Sequence, residues 1–415
     1  MISDHESQGG AAQAASRLAE SFSGTHRVDR LVLFPDRRPH PWRTHVLGTE
    51  NRVGQALRRV PRKLWPVRFP YPNTPEFVAV QLRGLLRRLR PDVINVHNLH
   101  GGADWGWGPH IAAVSAEFAP TVWTLHDMWS FTGRCAYAYD CAKFRVGCDA
   151  ACPTATESPR LAPEHIASAW HERRRLLAAH PQIVAVAPSC WLAAEALSGQ
   201  WAGQRVEVVP YGVPTDIIAP VPREEARRRL RLRTEGPVLL VAAHDLTERR
   251  KGAELLPQLW RHVRHRPFTL LMMGQGQLAI DDPQICVSPL GWIDDDRVKA
   301  LAYSAADVLL HPAPVDNFPN VILEAFACGT PAIGLPIGGV SEQIVPGITG
   351  WLATDATAAA LGDAIKVALD EIQKGVKLGT AARTTAVTQF PLWRQAERYQ
   401  QLFEELIPQS ARVLV

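Results

Sequence analysis

No apolar run in this chain is long enough to span a membrane, and its polar N-terminus, MISDHESQ, lacks the pattern of a signal peptide. The chain also has no excess of charge of one sign, because 45 basic and 41 acidic residues leave a formal charge of +4 over 415 residues. We therefore expect neither a transmembrane helix nor nucleic acid as a partner. A mean hydropathy of -0.09 is typical of a soluble globular protein, and the cytosol is the expected compartment.

Several catalytic and cofactor motifs are missing as well. No GxGxxG follows a predicted strand with an acidic residue about 20 positions further on, which argues against a dinucleotide-dependent oxidoreductase. No Ser-His-Asp constellation or clear two-carboxylate hydrolase arrangement is evident either. The first of these absences points away from redox chemistry.

The cysteine pattern includes no CxxC pair. Seven cysteines are present, and four of them cluster with five, six and three residues between neighbours. In a reducing compartment such a cluster is more often a metal site or a set of free thiols than a pair of disulfides. Two interpretations stay open: a small structural zinc site that holds a loop, and free thiols packed beneath it, which the missing CxxC pair slightly favours. The four cysteines are Cys135, Cys141, Cys148 and Cys152.

Strand-like and helix-like segments alternate along the chain, which predicts parallel sheets with crossover helices. The segment PYGVPTDIIAPVP at 210–222 carries four prolines and no helical period, so it is the predicted interdomain linker. It separates an N-terminal domain at 1–209 from a C-terminal domain at 223–390. The remaining stretch, 391–415, begins with an amphipathic helix at 391–406, where the apolar residues at helical spacing are Leu392, Trp393, Ala396, Tyr399, Leu402 and Phe403.

Each predicted domain has its own set of elements. The first is expected to contain strands at 28–34, 92–98, 120–126, 182–187 and 205–209, and helices at 11–22, 74–89, 108–118, 163–179 and 190–199. The second is expected to begin with a basic helix at 223–232 and to contain strands at 237–243, 268–273, 284–288, 307–311 and 330–335. In such folds, ligands bind at the carboxyl ends of the strands.

The N-terminus offers little room for a first strand. Only Met1–Asp4 are available before the segment Gln8–Ala12, whose glycine pair precedes the first predicted helix. A missing central strand would deprive its neighbours of a whole hydrogen-bond ladder. Either the true start lies upstream, or the domain tolerates a shortened first strand.

The segment HPAPVDNFPNVILEAFACGTPAIGLPIGG, from His311 to Gly339, carries the strongest functional signal. It places two carboxylates, Asp316 and Glu324, eight positions apart around an Asn-Phe-Pro-Asn turn. Pro319 is suited to begin a helix at 320–328, because its missing N–H would be unpaired there. The positive end of that helix would then suit an anion such as a diphosphate, and Glu324 would bind neutral hydroxyls beside it.

This string resembles the E-x7-E signature of retaining GT-B glycosyltransferases, specifically glycosyltransferase family four, with Asp at the first acidic position. The segment Thr124–Trp129 and the cysteine-rich loop after it are most similar to bacterial exopolysaccharide-building members of the colanic-acid type. The resemblance implies an α/β protein with two Rossmann-like domains facing across a cleft, and a C-terminal helix that crosses back to the first domain. It also implies a nucleotide-diphosphate sugar as co-substrate and no cofactor or metal for catalysis.

The resemblance also implies roles for individual residues of the second domain. Arg250 and Lys251 contact the donor phosphates, Asp316 holds the hydroxyls of the donor sugar, and Glu324 holds those of the ribose. The leaving phosphate deprotonates the acceptor, so no enzymic nucleophile is needed. The remaining donor-binding residues implied are Gly9, Gly10, Gly274, Trp292, Asn317, Phe318, Pro319 and Asn320.

In the first domain, histidines end two successive predicted strands. His126 ends the strand TVWTLH and, by resemblance, approaches the donor sugar as a catalytic residue. His97 and Asn98 end the preceding strand and are candidates for the acceptor side. A lone histidine in a core would more often be structural, but two at neighbouring strand ends favour a site.

The expected reaction is transfer of a sugar to a saccharide or lipid-linked oligosaccharide in polysaccharide biosynthesis. Alternatives are a glycosyltransferase that acts on a small natural product, a sugar-nucleotide epimerase on the same fold, and a non-catalytic sugar-nucleotide binder. The basic, tryptophan-bearing stretch Arg58–Trp65 suggests peripheral contact with the inner face of a membrane.

Overall fold

The computed structural model describes residues 1–48, 71–232, 234, 236–263, 267–278, 280 and 282–408. The chain divides into two compact units. Unit 1 comprises Met1–Val209 and Ala396–Val415, and unit 2 comprises Pro210–Gln395. Each unit contains a parallel β-sheet with α-helices between its strands, which confirms the predicted pair of Rossmann-like domains.

Unit 1 is built on a seven-stranded parallel sheet with the order β3-β2-β1-β4-β5-β6-β7. Its strands are β1 (Ile2–His5), β2 (Asp29–Phe34), β3 (Arg43–Val46), β4 (Ile94–Val96), β5 (Thr121–Thr124), β6 (Val184–Ala187) and β7 (Val206–Val208). Its helices are α1 (Gly10–Ser23), α2 (Pro75–Leu89), α3 (His110–Ala116), α4 (Lys143–Val146), α5 (Pro163–Ala179) and α6 (Cys190–Leu197). Two short 3-10 helices, His100–Trp105 and Trp129–Phe131, follow β4 and β5.

The shortened first strand does form. β1 has four residues and lies between β2 and β4, with Ile2 opposite Leu31 on one side and Val96 on the other. Its burial is almost complete, as expected for a central strand of a parallel sheet covered on both faces. The predicted domain therefore tolerates a short first strand, and β3, which the sequence analysis did not predict, extends the sheet beyond β2.

Unit 2 contains a six-stranded parallel sheet with the order β10-β9-β8-β11-β12-β13. Its strands are β8 (Val238–Asp245), β9 (Phe268–Gln275), β10 (Ile285–Gly291), β11 (Val308–His311), β12 (Ala332–Gly334) and β13 (Gly350–Leu352). Its helices are α7 (Arg223–Arg229), α8 (Leu256–His262), α9 (Asp296–Ala305), α10 (Asn320–Ala327), α11 (Val340–Gln343), α12 (Ala358–Gln373) and α13 (Gly379–Gln389), with a 3-10 turn at Arg249–Lys251.

Side-chain caps define several helix starts. Thr74, Ser189 and Thr357 each accept a hydrogen bond from a backbone N–H in the first turn of α2, α6 and α12. Each cap satisfies one of the N–H groups that a helix leaves unpaired at its start. The sequence therefore specifies these boundaries locally, and α2 begins within one residue of its predicted position.

The last helix, α14 (Leu392–Leu406), runs into unit 1. Ala396, Tyr399 and Leu402 are buried there against a cluster that includes Leu18 of α1 and Val186 of β6. The Tyr399 hydroxyl also lies 2.8 Å from Oγ1 of Thr124. Trp393, which the helical spacing places on the same stripe, is 64% exposed, so the apolar face is narrower than predicted. Among the described residues, no helix is both long and apolar enough to cross a membrane.

Candidate active site

The best-defined polar cluster of unit 2 lies at the carboxyl ends of β8 and β11. The turn Arg249–Lys251 follows β8, and Gly252 ends it with a φ of +93°. A Cβ on Gly252 would lie 2.4 Å from the carbonyl oxygen of Pro312. Glycine is required there, because it allows the turn to lie directly against the loop after β11.

This close approach brings Lys251 and Asp316 together. Lys251 Nζ lies 2.7 Å from Asp316 Oδ2, and His311 Nε2 lies 3.5 Å from the same oxygen. Asp316 and His311 are both buried, and Asp316 Oδ1 accepts a hydrogen bond from the Asn317 N–H. The arrangement is a buried carboxylate held by a cation and a backbone donor.

The charges of this cluster are set by its own members. Burial works to raise the pKa of the Asp316 carboxyl, but the neighbouring Lys251 and His311 outweigh it and hold that pKa far below its usual range. Burial, assisted by Arg250, lowers the pKa of Lys251, and Asp316 opposes this. Burial likewise lowers the pKa of His311. Asp316 is therefore an anion at neutral pH and serves as a hydrogen-bond acceptor.

Arg250, the other half of the predicted basic pair, has a different environment. Its guanidinium binds Glu248, with 2.9 Å between Nε and Oε1 and 3.2 Å between Nη2 and Oε2. It is more exposed than Lys251. Arg250 thus holds its charge at the rim of the cluster, whereas Lys251 holds its charge inside.

Glu324 lies in α10, which begins at Asn320 directly after Pro319. Its side chain is buried, and Oε2 accepts a hydrogen bond of 2.8 Å from the hydroxyl of Tyr303 in α9. Tyr303 itself is fully buried. Tyr303 was not predicted as a site residue, because nothing in the spacing of α9 indicates that its hydroxyl meets Glu324.

The loop before α10 contributes mainly backbone. The Phe318 side chain is buried and packs edge-on against Tyr211 and Phe390. The carbonyl of Pro319 accepts a hydrogen bond from Gln343, and a Cβ on Gly339 would lie 1.7 Å from the carbonyl oxygen of Asn317. Phe318 and Pro319 thus support the loop, while the buried Asn317 and half-buried Asn320 carry its remaining polar side chains.

The glycine pair at the end of β9, Gly274 and Gly276, also permits a close backbone approach. Gly274 has a φ of +152°, and a Cβ there would lie 2.1 Å from the carbonyl oxygen of Ala243. Nearby, the ring of Trp292 lies edge-on to His244 with 4.6 Å between centroids, and its Nε1 donates to Asp294. His244 was not predicted as a site residue, and its Nδ1 atom is buried without a hydrogen-bond partner.

In unit 1, the two predicted histidines meet after β4 and β5. His97 Nδ1 lies 3.0 Å from His126 Nε2. Burial lowers the pKa of His126 to about 4 and that of His97 well below its usual value, so both rings are neutral at pH 7. His97 is buried beneath the more accessible His126, which makes His126 the better candidate for ligand contact.

The neighbours of this histidine pair are also polar. His100 Nε2 lies 2.9 Å from Asp127 Oδ2, and Asp127 Oδ1 accepts the Trp129 N–H. Asn98 supplies its backbone carbonyl to the N–H of Asp4. The backbone of Asn98 therefore has a structural role, and its half-buried side chain remains a candidate for ligand contact.

The glycine pair before α1 is open. Gly9 has a φ of +88°, and a Cβ on either Gly9 or Gly10 would meet nothing within 4 Å. Gly9 is thus required by its backbone conformation, since left-handed φ values strain other residues. The space beside both glycines leaves the start of α1 accessible.

The four clustered cysteines line one small pocket in unit 1. None forms a disulfide. Burial raises the pKa of Cys135 to about 12 and that of Cys148 to about 11, so these thiols are protonated and poorly nucleophilic. A role as reactive nucleophiles is therefore unsupported.

Among the described residues, one group offers three metal-type ligand atoms within 4.8 Å of one another: Glu6, Asp36 and His40. The Glu6 carboxylate already accepts hydrogen bonds from Trp42 Nε1, Thr44 Oγ1 and the Asp36 N–H. The Glu6 carboxylate is thus already used by hydrogen bonds within the protein, and this group is not assigned as a metal site.

Two family profiles match the chain. One, described as "Glycosyltransferase Family 4", covers residues 8–217, and the other, "Glycosyl transferases group 1", covers residues 236–371. The chain belongs to glycosyltransferase family 4. The two profiles fall on the elements that carry His97 and His126 and on those that carry Lys251, Asp316 and Glu324.

Curated relatives of this glycosyltransferase match about half of its length. An Escherichia coli K12 protein, WcaC, whose name assigns it to colanic acid biosynthesis, is 29% identical over 51% of the chain and 51% of the relative. A D-inositol 3-phosphate glycosyltransferase of Pseudarthrobacter chlorophenolicus is 32% identical over 44% of the chain and 46% of the relative. The alignments thus span about half the length of these relatives.

Solved structures match the glycosyltransferase over nearly its whole length. A sucrose-phosphate synthase of Thermosynechococcus elongatus superposes with a TM-score of 0.69 at 21% identity, covering 97% of this chain and 95% of that one. Anabaena HepE in complex with UDP-glucose superposes with a TM-score of 0.68 at 16% identity, covering 98% of both chains. At these identities the likeness establishes the GT-B fold alone.

Proposed function

We propose that the chain is a retaining, metal-independent glycosyltransferase that moves a sugar from a nucleoside-diphosphate sugar to a saccharide or lipid-linked acceptor. The observation that carries the proposal is the ion pair between half-buried Lys251 and buried Asp316 beside the start of α10. A fixed cation and the positive end of a helix dipole suit the negative charge that develops on a leaving diphosphate. The neighbouring ionised carboxylate suits the hydroxyls of the donor sugar.

Each group of the proposed site has a task that its protonation state permits. Lys251 and Arg250 supply positive charge in place of a metal ion, and Asp316, a permanent anion, accepts hydrogen bonds from sugar hydroxyls. Glu324, oriented by Tyr303, accepts those of the ribose. In this proposal His126 binds the donor sugar as a neutral ring, which exchanges hydrogen bonds without adding charge.

The proposed route to retention uses no enzymic nucleophile. Asp316 is engaged by Lys251, His311 and the Asn317 N–H, which suits it to binding and makes it a poor nucleophile. The leaving phosphate then deprotonates the acceptor hydroxyl on the same face of the sugar. Product stereochemistry, determined by NMR at the new glycosidic bond, tests this part of the proposal.

Two classes of acceptor are supported by the names of relatives. WcaC and the structurally similar WaaG are named for colanic acid and lipopolysaccharide biosynthesis, which favours a polysaccharide precursor as the acceptor. The D-inositol 3-phosphate glycosyltransferases favour a small acceptor as the second candidate. The stretch Arg58–Trp65, proposed for membrane contact, lies outside the described residues, and sedimentation with anionic liposomes at low salt tests it.

The deciding experiment is binding and hydrolysis of a panel of nucleotide sugars by the purified chain, with and without EDTA. We expect one donor to bind and to be hydrolysed slowly despite EDTA, with loss of both in Lys251→Ala and Glu324→Ala. Lys366→Ala is the matched control, because Lys366 lies in α12, pairs there with Asp363 and has no part in the proposed site. No donor binding by the wild type, or binding unchanged in the two variants, would refute the proposed site.

A further inference from the structure

Two buried arginines lie against the four-cysteine loop of unit 1, and Arg173 interacts with the carboxylates of Glu172 and Asp127 only beyond ion-pair distance. Arg134 is 2% exposed and Arg173, in α5, is 4% exposed. Arg134 donates to the carbonyls of Thr154 and Pro159, and Arg173 donates to those of Gly133 and Ala169. Within the part of the chain that the structure describes, neither guanidinium has a carboxylate within ion-pair distance, and Arg134 Nη2 and Arg173 Nε have no hydrogen-bond partner.

Both arginines belong to the scaffold that holds the cysteines. Gly133 accepts a hydrogen bond from Arg173, and its own N–H donates to Cys148 Sγ at 3.2 Å. Arg134 directly precedes Cys135 and binds the carbonyl of Thr154, whose hydroxyl lies 3.7 Å from Cys152 Sγ. Buried charges in proteins are normally paired with opposite charge. Arg173 also lies over the ring of Trp129, at 4.3 Å from its centroid, which offsets only part of that need.

We propose that one zinc ion binds this loop as a structural tetrathiolate site. The ligands are Cys135, Cys141, Cys148 and Cys152. Zinc with four thiolates carries a net charge of about −2, which the two buried guanidiniums balance. The Gly133 N–H bond to Cys148 is the kind of outer contact that orients a metal ligand. This site is separate from the proposed transferase chemistry and does not depend on it.

The loop also has a structural need for such a site. Between the 3-10 helix that ends at Phe131 and the start of α5 at Pro163, the regular structure amounts to α4, a single turn. Loops this long without secondary structure are uncommon in compact domains. A metal that joins four points along the loop supplies the missing order, as in other small metal-stabilised segments.

The sulfur positions indicate how the site closes. No three of the cysteine sulfurs lie within 4.8 Å of one another, whereas sulfurs on one zinc ion, with Zn–S bonds of about 2.3 Å, lie roughly 3.8 Å apart. Cys141, Cys148 and Cys152 are half-buried and line the shared cavity, so rotation of these side chains draws the ligands together. Zinc binding would thus bring the four sulfurs closer together, while Arg134 and Arg173 keep the contacts that hold the loop.

The first test is the metal content of the full chain, expressed with zinc, freed of any histidine tag and purified without chelator. We expect about one zinc per chain by elemental mass spectrometry and native mass spectrometry. Cys141→Ser and Cys152→Ser should lose most of it. Cys190→Ser and Cys286→Ser, which change exposed cysteines outside the loop, should keep it.

Two further measurements keep the test decisive if a variant fails to fold. Cobalt exchanged into the wild-type chain should show the intense thiolate-to-metal absorption of a tetrahedral sulfur site. Arg173→Met should weaken zinc affinity about 10- to 100-fold in a chelator competition, and Arg173→Lys should weaken it less. A wild type with no zinc and seven reactive thiols, a mass that shows disulfides in the loop, or zinc retained in both loop variants would each overturn the proposal.

Discussion

The two units carry different kinds of polar side chain at the carboxyl ends of their parallel strands. Both carry polar side chains at the carboxyl ends of a parallel sheet. In unit 1 these groups are the histidines His97 and His126, which burial keeps neutral. In unit 2 they are Lys251 and Asp316, which keep each other charged. A buried edge of a sheet therefore tolerates either neutral polar groups or compensated charges, and the choice determines what each unit can bind.

The largest expected effect tests the charge compensation in unit 2. Lys251→Met leaves the buried Asp316 carboxylate without its nearest cation and should lower the free energy of unfolding by about 3 to 5 kcal/mol. Asp316→Asn should cost less, because Lys251 is half-buried and also interacts with Glu248. The double variant should recover part of that loss. Urea unfolding measures all three. The exposed pair Lys366–Asp363 is the control, whose removal should cost about 0 to 1 kcal/mol. Equal costs at both pairs would contradict the comparison.

The pH dependence of stability should come mainly from the buried histidines of unit 1. The pKa values of His126 and His110 are lowered to about 4, chiefly by burial. The unfolded chain therefore binds more protons than the folded chain between pH 6.5 and about 4, and stability should fall by a few kcal/mol as pH drops through that window. His97 and, in unit 2, His311 add to the loss, whereas Asp316 stays ionised throughout.

Urea unfolding midpoints from pH 7 to 4.5 provide the measurement. The double variant His97→Gln/His126→Gln should show a flatter pH dependence than the wild type. His26→Gln, which changes an exposed histidine of unit 1, is the control and should leave the slope unchanged. An unaltered slope in the double variant would show that the buried pair does not titrate as described.

A smaller effect tests whether His126 of unit 1 acts mainly on catalysis and Lys251 of unit 2 mainly on donor binding. His126→Ala should lower kcat by about 10²-fold, as expected for loss of a group that acts on the reacting sugar, while donor affinity changes little. Lys251→Ala should instead weaken donor binding. His45→Gln serves as the control, because His45 lies on β3 and bonds to Asp29. If His126→Ala abolished donor binding as completely as Lys251→Ala, the proposed division would be wrong.

The smallest effect concerns two tyrosine hydroxyls. Tyr303→Phe removes the donor to Glu324 and should weaken donor affinity about tenfold, which corresponds to about 1.4 kcal/mol. Tyr399→Phe removes a comparable bond to Thr124 in unit 1 and should lower stability by about 1 kcal/mol without a change in donor affinity. Isothermal titration and urea unfolding of both variants check this. Equal donor affinities in the two variants would remove the positioning role of Tyr303.

Much of the fold could be predicted because its signals are local. The buried first part of β8, 238–242, is a continuous apolar run, and α2 has a capping threonine followed by proline. β3 was missed because it is a short, largely exposed edge strand without an apolar run. Trp393 was predicted to lie on the apolar face of α14, but it is exposed. Helical spacing gives the width of an apolar face only approximately, and packing decides which residue at its edge is covered.

The candidate site was partly predictable for the same reason. Asp316 and Glu324 lie in one continuous motif, and Arg250 and Lys251 lie in one turn after a strand. The partners that fix their behaviour come from other elements: His311 from β11 and Tyr303 from α9. Spacing along the chain carries no information about such contacts, so the ionisation of Asp316 and the orientation of Glu324 could not be predicted.

The sequence alone determined the alternation of strands and helices, the motif around Asp316 and the family to which the chain belongs, because these depend on patterns within short segments. The tertiary structure decided which charges are compensated. It paired Lys251 with Asp316, buried His97 beneath His126, and buried Arg134 and Arg173 beside four cysteines. Electrostatic energies depend on distance and burial in three dimensions, and folding sets both.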